Sequence, residues 1–389
     1  MEWLPPRITD PALLELAGAI LQLAPRAEAS TTLRQRIFGP GFRWAELIEF
    51  ASGQDILPPL VWALQTRHLL MQVPKSLPPE RRQQFVTTRL LDAFAEHLAR
   101  QHDLRAQLHA CLAALNHAGI TPVILKGARY LLDAEPHWGT ARPMRDIDLL
   151  IQPEDGAAAI NALTGIGYVA DAPSGLLSHH LPELRMAGRH GVVELHTQAL
   201  APAGACLMTT DFVWRNAVPV AVPGAGSAFI LPPVWQALHA MLHHQASDDG
   251  YDQHILALKP LWEFACLAGS FSVADWASLA AHPGIGDLLG SWCVQAGQVF
   301  GLAYPVNLLI SAAARGQAQA CLAEALEPDR RRRARFLARQ LRRGFSRDVL
   351  ALRYGVRPAA VGVLLRARHA WFLLRRYRFR LGARLFGRT

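Results

Sequence analysis

Two stretches decide how the chain folds: GITPVILKGARYLL, residues 119–132, and RPMRDIDLLI, residues 142–151. The apolar run TPVIL (121–125) ends at Lys126-Gly127, and DIDLLI (146–151) is a second apolar run. Each has the length and bounding residues of a strand, with a short helix (128–132) and a turn-rich segment (135–143, carrying Pro136, Gly139 and Pro143) between them. Side chains alternate along a strand, so Asp146 and Asp148 share one face while Ile147, Leu149 and Ile151 line the other. Two carboxylates at that spacing repel, and keeping both ionised is costly unless a cation lies between them. Oxygen-rich ligation of this kind suits magnesium with bound phosphates.

Downstream, Pro153-Glu154-Asp155 opens a helix that runs to Leu163 and stops at Gly165 to Gly167. Two further strands follow, at 184–187 and 192–197, joined by a turn at 188–191, and VPVAV-PGAG-SAFIL (218–231 with its flanks) reads as a hairpin. Upstream, residues 10–117 read as helices. Pro11 follows the N-cap Asp10, and Pro78-Pro79 opens a long helix whose stripe includes Leu90, Phe94, Leu104, Leu108, Leu112 and Leu115. After Pro232 the helical period returns, with Trp235, Leu238 and Leu242 and then 258–267. The expected class is α+β, a small mixed β-sheet core with large helical additions on both sides. The divisions expected are 1–118 helical, 119–231 mixed core, 232–329 helical and 330–389 an arginine-rich helical tail.

A chain of 389 residues with 51% hydrophobic and 18% charged side chains is globular, and too apolar to be disordered. Its net charge of +9 is unevenly spread: residues 330–389 hold 19 arginines, no lysine and one acid, Asp348, which leaves the preceding residues net acidic. Two readings stand for this tail: packing back on the acidic body, or contact with an external anionic partner such as nucleic acid or membrane. Its aromatics, Phe345, Tyr354, Trp371, Phe372, Tyr377 and Phe379, recur with Leu364, Leu365 and Leu373 as on an amphipathic helix. Five scattered cysteines without CxxC spacing encode neither a disulfide framework nor a zinc ribbon. The N-terminal MEWLPPRITD lacks the positive region of a secretory signal, and the most apolar tail segment, 361–374, is broken by Arg366, Arg368 and His369; a cytoplasmic protein is expected.

Around the two acids stand further candidates. Lys126 is one of three lysines, and Gly127 beside it would let backbone N–H groups approach a phosphate. Arg142 and Arg145 either bind phosphate oxygens or pair with the same carboxylates. In VVELHT (192–197), Glu194 and His196 share a strand face; Glu194 would supply the third acid of a two-metal site, and His196 orients it, touches substrate, or is satisfied at the sheet edge. His179-His180 lies in a loop able to reach a triphosphate or an acceptor, with a surface or structural role as the default reading. His239, His243 and His244 share a helix, where packing or acceptor contact outweighs zinc because no third ligand is evident.

The run GITPVILKGARYLL…RPMRDIDLLI…GY…HH…VVELH resembles the uncharacterised nucleotidyltransferase family of the DNA polymerase beta-like superfamily, across roughly residues 80 to 270. The resemblance implies a small mixed sheet, a nucleoside triphosphate substrate, and Mg2+ or Mn2+ held by Asp146, Asp148 and Glu194. It further implies nucleotide contacts at Lys126, Gly127, Arg142 and Arg145, with His180 and His196 toward substrate. Arg145 stands where relatives often carry a small residue, and Glu263 where they carry an aspartate. The implied reaction transfers a nucleoside monophosphate to a metabolite, peptide, protein or RNA acceptor and releases pyrophosphate. The rival from another class is a catalytically silent nucleotide- or RNA-binding protein that uses the same fold and the basic tail.

Overall fold

Seven strands form one mixed sheet: β1 (Val123–Ile124), β2 (Asp146–Leu150), β3 (Val169–Ala170), β4 (Leu184–Arg185), β5 (Val192–His196), β6 (Val218–Val222) and β7 (Gly226–Ile230). Their spatial order is β3-β4-β5-β2-β1-β7-β6. β2 runs parallel to β5 and antiparallel to β1, and β1 runs parallel to β7. Helices precede and follow this sheet, so the class is α+β, as the sequence implied. The computed structural model describes residues 7–22, 27–72, 78–82, 84–132, 137–171 and 180–371. Residues 133–136 of the turn-rich segment, His179, and the tail aromatics Phe372, Tyr377 and Phe379 lie outside them. The chain divides into two compact units, 1–327 and 328–389.

The alternation expected for DIDLL is what gives β2 two different faces. Ile147 and Leu149, with Val193 and Leu195 of β5, pack on Leu104, Leu108, Leu112 and Leu115 of the helix Val86–His117 and on Ala159 and Leu163 of the helix Gly156–Gly165. On the other face Leu150 joins a second core with Val123 and Leu125 of the β1 segment and with helical residues such as Leu238, Leu261 and Trp262. Asp146 and Asp148 are on that second face. This central strand therefore aims two carboxylates into the layer between it and the helices Pro233–Leu242 and Leu258–Ala268. Where a helix was expected at 128–132, the chain makes a 3-10 helix, Lys126–Leu131, starting directly at the lysine. The edge strand β3 was not expected: both of its residues are exposed, and two residues give no period to read.

Register at the site is held from outside the sheet. Asn116, at the end of Val86–His117, accepts at Oδ1 from Ser227 N (2.9 Å) and donates from Nδ2 to Ser227 O (2.9 Å) and Leu112 O (2.9 Å), so β7 and its neighbour β1 are fixed to the helix. At the entry to β5, Gly191 has φ +76°, and a side-chain carbon there would lie 2.6 Å from Arg145 O and 2.8 Å from Leu104 Cδ2. Only glycine fits, and the close approach lets Val192 N donate to Arg145 O, the contact that sets β5 against β2. Asn116→Ala leaves the Ser227 backbone groups without their partner and should cost about 1–3 kcal/mol in urea unfolding. An unchanged midpoint would show that the clamp is dispensable.

Candidate active site

In the β2–β5 pair Asp148 is directly opposite Glu194, and Leu150 opposite His196. The three polar side chains therefore emerge on one face within two residues of each other. Asp148 has no exposed surface, nor has His196, while Lys126 and Glu194 each keep 16% of the side chain accessible. One oxygen of Asp148, Oδ1, accepts from both Lys126 Nζ (2.7 Å) and His196 Nε2 (2.8 Å). Glu194 Oε2 lies 3.3 Å from the same histidine nitrogen. The second oxygen, Asp148 Oδ2, is buried with no hydrogen-bond partner among the described residues. A buried carboxylate oxygen in that state is costly, so a group that fills the gap is worth seeking.

The charges explain one another. Burial would raise the Asp148 carboxyl, but the Lys126 charge and the His196 hydrogen bond outweigh it and hold it well below the usual carboxylate range. Burial likewise opposes the cations and loses: Asp148, then Asp146, raises the Lys126 ammonium, and hydrogen bonds to Asp148 and Glu194 raise His196. Glu194 is lowered, its burial being overcome chiefly by the His196 hydrogen bond. Asp146 goes the other way, raised by burial and by the Asp148 charge.

Asp148, Glu194 and His196 each offer a ligand atom within 4.8 Å of the others, the arrangement a divalent cation needs. Asp146, which the sequence reading placed in the metal set, is not a member of this group. It is half-buried two pairs along the strand, and His196 is the third member of the group. His180 forms a β-bridge to His196, with ring centroids 5.7 Å apart, so it borders the same group. Lys126 reaches Asp148 from a backbone with φ +48°, a left-handed conformation that a non-glycine residue adopts at a cost. The hydrogen bond from Leu125 N to Asp148 O (3.0 Å) helps hold it there.

Gly127 and Arg142 meet each other: a side-chain carbon on Gly127 would sit 2.0 Å from Arg142 Nη1, so the missing side chain makes room for the guanidinium. Arg142 in turn donates from Nε to Glu263 Oε2 (2.7 Å), and Tyr130 donates its hydroxyl to Glu263 Oε1 (3.1 Å). Burial opposes the Arg142 charge, yet Glu263 outweighs it and raises the guanidinium. Glu263, fully buried on Leu258–Ala268, thus ties that helix to the segment leading into β2. Arg145 points elsewhere: its guanidinium is 84% exposed and 3.8 Å from Asp55, a carboxylate that Lys259 also holds at 2.8 Å.

The helical histidines have partners of their own. His239 Nε2 donates to Ala199 O (2.9 Å), and burial lowers its pKa to about 3. His244 Nε2 lies 3.3 Å from Ile255 O, and His243 Nδ1 lies 3.1 Å from Asp248 Oδ2, on a π-helical turn His243–Ser247. These contacts account for His239 and His244 as packing residues. A cavity of about 320 Å³ among Leu21, Trp262, Phe271, Trp276, Phe300 and Leu302 includes none of the site's polar groups in its lining.

The chain belongs to a nucleotidyltransferase family: the model of the family described as uncharacterised nucleotidyltransferase matches residues 40–284, more than half its length. No curated protein and no solved structure matches it.

Removing the Glu263 carboxylate would leave Arg142 charged and buried beneath Gly127. Glu263→Ala should therefore lower unfolding stability by about 3–5 kcal/mol. A loss under about 1 kcal/mol in a denaturant titration would mean that the pair is not what joins helix and site.

Proposed function

We propose, from that family membership and the geometry of the β2–β5 pair, that the chain transfers a nucleoside monophosphate from a nucleoside triphosphate to an acceptor. The observation that carries this reading is Asp148: a buried carboxylate with one oxygen engaged by Lys126 and His196 and the other unpartnered among the described residues, directly beside Glu194. The carboxylates of Asp148 and Glu194, with Asp146 alongside, fit a hard divalent cation such as Mg2+ or Mn2+. Asp148 and Glu194 would hold it, with His196 orienting them through its Nε2, and when bound it supplies neutralisation of phosphate charge.

In the reaction an acceptor oxygen bonds to the alpha-phosphorus as the bond from that phosphorus to the bridging oxygen breaks, and pyrophosphate leaves with the electron pair. Glu194, ionised and partly accessible, is placed to take the acceptor's proton. Lys126, whose ammonium donates to Asp148 Oδ1, would meet the triphosphate with its positive charge. Arg142 acts here as a positioning residue through Glu263, and His180 borders the acceptor side through His196. A metabolite or peptide acceptor is favoured; a protein side chain or an RNA end has the same reacting oxygen.

One observation favours the rival reading, a nucleotide- or RNA-binding protein without turnover. The Lys126 ammonium pairs with Asp148 at 2.7 Å, a compensation that a silent site would retain. The two readings part on Asp148→Asn. With each nucleoside triphosphate, Mg2+ and cell extract as the acceptor source, pyrophosphate release should fall by on the order of 10²–10³ relative to wild type. Equal release by both proteins, or none by either with all four nucleotides, sinks the enzymatic reading.

A further inference from the structure

The C-terminal unit carries an exposed apolar face among its described residues. Residues 363–371 form a helix, and at about 100° per residue it has two distinct apolar sides. One side packs inward: Leu365 lies against Leu350, Ala351 and Val361, and the buried His369 shares a hydrogen bond between its Nδ1 and the Tyr354 hydroxyl (3.1 Å) and meets Phe345 edge-on. The other side faces out. Val363, Ala367, Trp371 and Leu364 fall in one sector of about 100°, and Val363 is 83%, Leu364 87% and Trp371 60% exposed. Arg368 borders that sector on one side and Arg366 on the other, both exposed.

The same unit begins with the helix Asp329–Gly344, where Leu337 and Leu341, one turn apart, are exposed among Arg330, Arg333 and further arginines. With 19 arginines and one acid between residues 330 and 389, the unit is strongly positive whichever way its faces turn.

An outward apolar stripe flanked by arginines, with a tryptophan at its end, has the chemistry of a helix lying in the plane of a lipid interface. Aliphatic side chains enter the acyl boundary, the indole sits at headgroup level, and guanidinium groups meet lipid phosphates. A nucleic-acid surface has use for the arginines and for stacking aromatics, but not for a bare valine–leucine pair. No helix among the described residues is long and apolar enough to cross a membrane, so the contact would be peripheral.

We infer that the C-terminal unit is an anionic-membrane docking surface, in which Val363, Leu364 and Trp371 insert and the flanking arginines bind acidic headgroups. This assignment is independent of the reaction proposed for the sheet.

The test is sedimentation of the full chain with vesicles of phosphatidylcholine, with or without about 30% phosphatidylserine. The expected result is binding at least about tenfold stronger to the anionic vesicles, weakened by 0.5 M salt. It should also be lost by about tenfold or more in the double substitution Val363→Asp with Leu364→Asp. Because both side chains are exposed, the variant should keep the wild-type circular dichroism spectrum and melting temperature. If it does not, Arg366→Gln with Arg368→Gln replaces it and should weaken anionic binding by a few fold. Absence of vesicle binding overturns the assignment, as does binding that neither pair of substitutions changes. Tight binding to a single-stranded RNA without vesicle binding would overturn it in favour of nucleic acid.

Discussion

A carboxylate without exposed surface remains ionised only if the protein places enough positive charge and hydrogen-bond donation around it. Asp148 meets that condition through Lys126 and His196, both on the same oxygen. Each partner is delivered by a different element: the lysine by a left-handed residue at the end of β1, the histidine by β5, whose register against β2 is set at Gly191. Exchanging any of these supports for a residue that shifts the register by one would turn the acids into the apolar face and the isoleucines toward the polar one. The elements around this charge thus act together, and the second oxygen of Asp148 has no hydrogen-bond partner among the described residues.

The surrounding helices depend on a second buried ion pair. Arg142 with Glu263 and Tyr130 fills the space that Gly127 leaves, so the helix Leu258–Ala268 and the approach to β2 are held together at the point where Lys126 turns. A buried pair of this kind is weak evidence for stability, since an apolar replacement of equal volume is often as good. Its value here is geometric: it fixes where the glycine and lysine sit relative to the acids. Trp138 and Trp262 stack edge-to-face beside it, with Tyr130 on Trp138, and close the layer behind the pair.

Much of this was legible in the sequence because it followed the two-residue period. DIDLL and VVELH each alternate, and the alternation alone puts Asp148, Glu194 and His196 on polar faces; their pairing across β2 and β5 needed the structure. His196 was read as an orienting or substrate residue, and its place in the three-residue group depends on a register that no local pattern carries. Glu263 stands out in the sequence only as an acid where relatives carry an aspartate, because a buried acid in an apolar helix gives no hint of its partner 121 residues away. Arg142 and Arg145 looked alike next to the acids, but one is buried by Gly127 and Glu263 while the other is exposed near Asp55. Strand β3 and the short helices Pro202–Ala205 and Thr210–Asn216 are too brief for periodicity to reveal.

The central claim is that Asp148 and Glu194 together hold a divalent cation for a nucleotide. Electron paramagnetic resonance of Mn2+, titrated into the protein with a non-hydrolysable nucleoside triphosphate, reports that binding directly. The account predicts a bound signal in the wild type whose affinity falls by more than about tenfold in both Asp148→Asn and Glu194→Gln. Mn2+ affinity that is unchanged by both substitutions would contradict it.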